Sequence, residues 1–235
     1  MSKKIIIILF TILSISIFAD SPISGQFEAR FGWFMPNIDS EPALVSKGET
    51  PYKDIFIDSG FQFGFEIGSN IFSHELAGTL MYAFGLEYFK KEGYALKQDG
   101  TRSKDQTTLK MLPLKLSLTY NIDQFETLFN VPLVPYIKAG FQYKIWYIED
   151  SIGDTAINSK GNKASGGKYG TFWAVGLRFL LDFMDQDSAL SFDNDLGIND
   201  SYIFIEYLSS DIDSFGKPGM QLGGAGWFFG LALTY

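Results

Sequence analysis

The most constraining feature of this chain is a two-residue alternation that recurs along almost its whole length. In residues 27–35, Phe27, Ala29, Phe31, Trp33 and Met35 fall on one parity, against Glu28, Arg30, Gly32 and Phe34. Residues 61–72 set Phe61, Phe63, Phe65 and Ile67 against Gln62, Gly64, Glu66 and Gly68. The pattern returns in 76–90, 107–121, 132–149, 169–183, 201–208 and 222–235. A period of two is the period of a β-strand, whose successive side chains point to opposite faces. Eight such stretches predict eight strands, most with the ~9–11 residues a tilted strand needs to cross a bilayer; the seventh, 201–208, reads short.

One face is bulky and apolar, and the other carries small and charged residues. Two eight-stranded barrels share this alternation. A lipocalin-like barrel turns the apolar face inward; a membrane barrel turns it to lipid. Paired charges and glycines suit a narrow lumen better than a ligand cavity, which favours the membrane version. Tyr88, Tyr120, Tyr147, Tyr207 and Tyr235 sit near strand ends, as interfacial aromatics do. The expected fold is all-β: an eight-stranded antiparallel up-and-down transmembrane β-barrel. It must close, because lipid cannot satisfy a bare sheet edge. The mean hydropathy of +0.05 then averages a greasy outside with a charged inside.

Ahead of the barrel, Lys3 and Lys4 precede an apolar run from Ile5 to Phe18, closed by Ala19. A basic start, a run too short to span a bilayer and a small residue at its end predict a cleaved signal peptide over 1–19. Residues 20–235 form the barrel domain. Connections 36–54, 91–106, 150–168 and 209–220 read as long polar loops on the outside. The stretches 73–75 and 122–131 read as shorter periplasmic turns, whereas 184–200 is long for that side.

The inward parity holds Glu28, Glu66, Glu87 and Glu206 with Arg30, Lys115, Lys138, Lys144 and Arg178. Unpaired buried charge is costly, so near-balance predicts an ion-pair network plugging the lumen. A small pore or transporter for small or hydrophobic solutes is the alternative. The net charge of −8 argues against nucleic acid, and the absence of Cys excludes disulfides, thiolate metal sites and a Cys nucleophile. In the topology, the surplus acids (Asp20, Glu75, Asp123, Glu126, Asp182, Asp185, Asp187, Asp193, Asp195 and Asp200) gather at the periplasmic end.

The one histidine, His74, sits in Ser73-His74-Glu75, which looks like part of a hydrolase triad but falls in a periplasmic turn. Asp193, Asn194, Asp195, Asn199 and Asp200 beside Gly197 offer oxygen ligands for Ca²⁺ but lack the twelve-residue loop pattern, so turn formers and caps are the expected role. Lys90, Lys91, Lys97, Arg102 and Lys104 could hold lipopolysaccharide phosphates, against the plainer reading of a solvated loop. No catalytic residue, metal site or cofactor is expected. Expected partners are outer-membrane lipid and a surface ligand or lipopolysaccharide at the loops, with the barrel a monomer.

The last eight residues, F-F-G-L-A-L-T-Y, resemble the C-terminal assembly signal of bacterial outer-membrane proteins, with Gly230, Leu233 and Tyr235 in its characteristic places and Phe228 where a polar residue is usual. That resemblance implies recognition by the barrel-assembly machinery. The chain is also similar to small outer-membrane β-barrel proteins of myxobacterial type, within the OmpA/OmpX-like eight-stranded class. The blocks that carry this are Thr50 to Phe56, Asp99 to Leu109, Val131 to Gly140, Tyr169 to Leu177 and Asp193 to Phe204. The resemblance implies the fold and an outer-membrane location, and brings no assigned activity with it.

Overall fold

The computed structural model describes residues 24–74, 76–97, 100–157, 161–184 and 197–235. The expected signal peptide and Asp193, Asn194 and Asp195 of the acidic cluster lie outside the described residues. Eight strands follow in chain order: β1 Gly25–Pro36, β2 Gly60–His74, β3 Gly78–Leu96, β4 Arg102–Asn121, β5 Leu133–Glu149, β6 Ser165–Leu180, β7 Asp200–Asp211 and β8 Gly224–Thr234. Each pairs antiparallel with its sequence neighbour, and β1 pairs with β8 from Gln26↔Thr234 to Pro36↔Gly224. The ring is closed, so no strand is left with a bare edge against lipid.

The alternation is realised as expected. Phe31, Trp33, Phe65, Phe84, Leu116, Ile137 and Trp173 point outward and are exposed, while their neighbours in sequence point into the bore. A greasy outside around a filled, charged inside excludes the lipocalin-like arrangement. No helix among the described residues is long and apolar enough to cross a membrane; the chain crosses with strands.

Two expectations need correction. Residues 91–106 are not an irregular loop. β3 continues to Leu96 and β4 begins at Arg102, with Glu92↔Thr108 and Tyr94↔Gln106 in register, so the hairpin stands well above the apolar belt. Charge there hides the strand period, because Glu92, Arg102 and Lys104 sit where the belt would have Leu or Phe. The seventh strand is also not short: β7 runs twelve residues and pairs along its length with β6 and β8. Its upper end is Ser209, Ser210 and Asp211, polar because it has left the lipid.

Glycine is required where backbones crowd. Gly78 opens β3 at φ +80°, and a Cβ there would strike the carbonyl of Asn121. Gly140 faces the bore of β5, and a Cβ would meet the Leu116 carbonyl, so this glycine lets two strands curve tightly.

The longest described connection, between β1 and β2, folds back over the outer mouth. It carries a 3-10 turn at Ile38–Ser40 and helical turns at Pro42–Val45 and Pro51–Ile55, each helical turn opening on proline. Proline suits that place, since its missing N–H is unpaired there anyway.

Candidate functional site

The bore is filled in three layers. The middle one is ionic. Arg30 on β1 is its hub: the guanidinium pairs with Glu87, with Glu206 at 2.5 Å and with Glu66 at 3.3 Å. Lys115 lies 2.7 Å from Glu87 and 3.6 Å from Glu66. Lys138 bridges Glu28 at 2.8 Å and Glu66 at 2.9 Å, and Arg178 meets Glu28 at 2.5 Å. All eight are buried. Four acids meet four bases, so the layer is neutral.

Neutral donors add to the layer. Tyr136 donates to Glu206 at 3.0 Å, Gln62 to Glu87 and Gln26 to Glu28, each at 2.5 Å, and Arg178 donates to Asn121 Oδ1 at 3.1 Å. Aromatic faces cover the cations: Phe228 lies 5.1 Å from Arg30, Phe172 5.0 Å from Lys115 and Tyr136 4.7 Å from Arg178. A buried charge survives where it has opposite charge, hydrogen bonds and ring faces around it.

Lys144 departs from the expectation that it belongs to this network. It is 1% exposed and has no carboxylate partner among the described residues. Its ammonium donates to the Leu222 carbonyl at 2.8 Å and lies 3.9 Å from the centre of the Phe34 ring. The reason is height. Lys144 stands on β5 beyond the last glutamate, inside the layer that closes the outer third of the bore.

That outer layer is apolar and sequence reading missed it. Phe34, Phe89, Leu109, Met111, Phe172, Leu208 and Phe228 converge from the wall, and Tyr52, Phe56, Ile38, Ile212 and Leu222 descend from the connections. Tyr52 is 1% exposed, and its hydroxyl donates to the Asp58 carbonyl at 2.9 Å. Parity would have found Phe89 and Phe172, which alternate with the outward Tyr88 and Trp173. Nothing local marks Tyr52, because it sits in a loop. A smaller layer of Val134, Tyr136, Tyr202, Phe204 and Ala232 closes the opposite end.

The remaining candidates are placed as follows. His74 is exposed and stacks on Phe72, and its Nδ1 accepts the Leu76 N–H at 3.2 Å. The Ser73 hydroxyl meets Thr79 at 3.0 Å, and among the described residues it is not paired with His74. At the periplasmic mouth, Asn199 N–H donates to the Thr234 carbonyl and Asp200 accepts from the Thr234 hydroxyl at 3.0 Å. Glu126 stands nearby; burial first, then the charge of Asp200, pushes its carboxyl up to about 7, against a hydrogen bond from Tyr202. Asp123 and Asp182 are raised in the same way, chiefly by burial. Among the described residues, no group of His, Asp or Glu is arranged to hold a metal ion.

The basic residues of 90–106 are partly neutralised within the chain. Lys90 meets Glu92 at 2.6 Å, Lys91 pairs with Asp58, and Arg102 donates to the Asp54 carbonyl at 3.2 Å. Lys91 holds the Asp58 carboxyl below its ordinary range, through a hydrogen bond and charge. At the other end of the chain, Gly230, Leu233 and Tyr235 all belong to the closing seam. Gly230 lies against Ala29 and the Phe204 ring, Leu233 pairs with Phe27, and the Tyr235 carbonyl accepts from Ser24 and Gly25 at 2.6 and 2.8 Å.

No protein-family model and no curated protein matches this chain. Among solved structures it is similar to the outer membrane protein OprG from Pseudomonas aeruginosa, at 15% identity and a TM-score of 0.50, over 91% of this chain and 97% of that one. Neisserial surface protein A matches at 12% identity and 0.46, over 92% and 98%. Ail of Yersinia pestis matches at 10% and 0.45, over 92% and 100%. The likeness to OprG shows the fold. Together with the lipid-facing belt and the closed ring, it makes this chain an outer-membrane β-barrel.

Proposed function

We propose that this protein is a closed, monomeric outer-membrane barrel whose work is done at its outer surface, in envelope integrity or in recognition by its loops, and not by conduction through the bore. The observation that carries this reading is the neutral ionic layer sealed by an apolar layer above it. An ion entering would have to displace Arg30 from Glu66, Glu87 and Glu206, and then pass Tyr52. Breaking one buried pair costs about 3–5 kcal/mol, well above thermal energy. The reading includes no catalysis, no cofactor and no nucleic acid. It takes the C-terminal seam as the segment met by the barrel-assembly machinery, and the family as the myxobacterial type. Lipopolysaccharide is the candidate surface ligand that Lys97 and Lys104 support, since neither has a carboxylate partner among the described residues.

Planar-bilayer recording on the purified chain tests it. The expected result is a silent bilayer at neutral pH. Steady conductance steps that scale with protein added would overturn the closed barrel in favour of a small pore.

A further inference from the structure

Two cavities stand one above the other on a single outward face of the barrel, and neither belongs to the bore. The lower arises at Ala29. On β1 it stands between Phe27 and Phe31, and its cross-strand partners are Phe65 and Leu231, so one small residue leaves a notch among large ones. The notch opens into an apolar groove of about 720 Å³ that extends over β8, β7 and β6 past Phe229, Ile205 and Leu177. Above it is an aromatic shelf. Trp33, Trp227 and Tyr207 are in register across β1, β8 and β7, with Tyr207 5.2 Å from Trp227 and 6.0 Å from Trp173.

Above the shelf lies the second cavity, about 630 Å³, under the overhang of the β1–β2 connection. Ser209, Gly224 and Ala225 form its floor, and Asn37, Asp39, Ser40, Thr50 and Lys53 its walls. The Asp39 carboxylate is fixed by the N–H groups of Tyr52 at 2.7 Å and Lys53 at 3.1 Å, one on each oxygen. Each oxygen keeps a lone pair for a further donor. The Lys53 ammonium is exposed and has no ion-pair partner among the described residues.

We infer that this face binds one outer-leaflet glycolipid, its saccharide headgroup in the upper cavity and an acyl chain in the groove below. The order of the two cavities is the order of a lipid's two parts. Ala29 lies about 13 Å along the strand below Trp33, within the ~15 Å half-thickness of a bilayer's hydrocarbon. The notch at the groove's upper end therefore lies in the outer leaflet, where a chain fills a space that rigid rings leave empty, and the groove runs on from it down the wall towards Phe179 and Leu133. The upper site pairs one anion with one cation among hydroxyl and amide groups. Sugar hydroxyls donate to Asp39 and accept from Lys53 at once, and a choline headgroup has no N–H or O–H to donate. The inference stands whether or not the bore conducts.

Three of the four tryptophans, Trp33, Trp173 and Trp227, lie on this face, so their fluorescence reports on it. The barrel, residues 20–235, is placed in phosphatidylcholine nanodiscs. Monoglucosyl diacylglycerol with brominated chains is titrated in, against brominated phosphatidylcholine of the same chain length. The glycolipid is expected to half-quench at a mole fraction about tenfold lower. Ala29→Leu, which fills the notch, and Ala225→Leu, which fills the upper floor, should each remove that preference. Leu116→Ala, outward on β4, should leave it intact and shows that outward substitutions do not spoil the barrel. Equal quenching by both lipids overturns the inference, and so do Ala29→Leu and Ala225→Leu variants that behave like the parent. Relief of quenching by methyl glucoside in the buffer would point to a soluble sugar and overturn the lipid as ligand.

Discussion

Lys115 and Lys144 both project from the barrel wall into the bore, both are 1% exposed, and each has a phenylalanine ring near its ammonium. Lys115 sits in the ionic layer with Glu66 and Glu87 around it; Lys144 sits in the apolar layer with one carbonyl. The two layers are two solutions to filling a bore just wide enough for side chains. The ionic layer draws partners from β1, β2, β3, β4, β5, β6 and β7, and ties the wall to itself across the middle. The apolar layer is made largely of ring and aliphatic packing, and it needs material from outside the wall, which the β1–β2 connection supplies as Tyr52 and Phe56. The same residue type is thus a structural necessity in one layer and a lone buried amine in the other.

That difference sets an order of effects. Arg30→Met should be the most damaging change, because it takes a partner from three buried carboxylates at once and leaves Lys115 and Lys138 to hold all three. A loss of about 3–5 kcal/mol is expected in reversible urea unfolding from detergent micelles. Lys115→Met should also destabilise, by a smaller amount, since Glu66 and Glu87 keep Arg30. Lys144→Met should be neutral or stabilising, because it exchanges an unpaired buried amine for an apolar chain of similar length. Equal losses for Lys115→Met and Lys144→Met would break the distinction between the layers.

Tyr52→Ala tests the apolar layer from its loop side. Removing a buried aromatic should cost about 3 kcal/mol, less than Arg30→Met, and should raise the exchange of amides in the β1–β2 connection while the strands stay protected. Loss of protection throughout the wall would show that this layer is not a separable cap.

The smallest expected loss is at the periplasmic mouth. Glu126 holds its proton more tightly in the folded chain than its ordinary value of 4.5 allows, with the folded carboxyl at about 7. Its contribution to stability is therefore full below pH 4.5 and is lost as pH rises through about 7. Glu126→Gln should flatten that slope, by an amount of the order of 1 kcal/mol after solvent screening. An unchanged pH profile would remove Glu126 from the balance at this end.

Much of this architecture is legible residue by residue. Glu28 and Arg30 are inward because Phe27, Ala29 and Phe31 are outward, and the strand period permits nothing else. The same logic reaches Phe34 and Phe228, which are inward by parity yet apolar, and which signal that the bore is not ionic throughout. The β3–β4 projection was hidden because a strand in water no longer needs an apolar face, so Glu92 and Lys104 read as loop. Tyr52 was hidden because no periodicity governs a connection, and its burial depends on where the mouth lies.

By itself, the sequence determined which way each strand residue faces and that eight strands must close, since the two-residue period is a property of the extended backbone and lipid tolerates no open edge. Only the tertiary structure decided who pairs with whom. Arg30 meets Glu206 across 176 positions of chain, and Lys138 meets Glu28 across 110. Those contacts follow from strand register and height in the bore, which no local pattern encodes. The same register carried Lys144 past the last glutamate and left the remaining eight charges in balance.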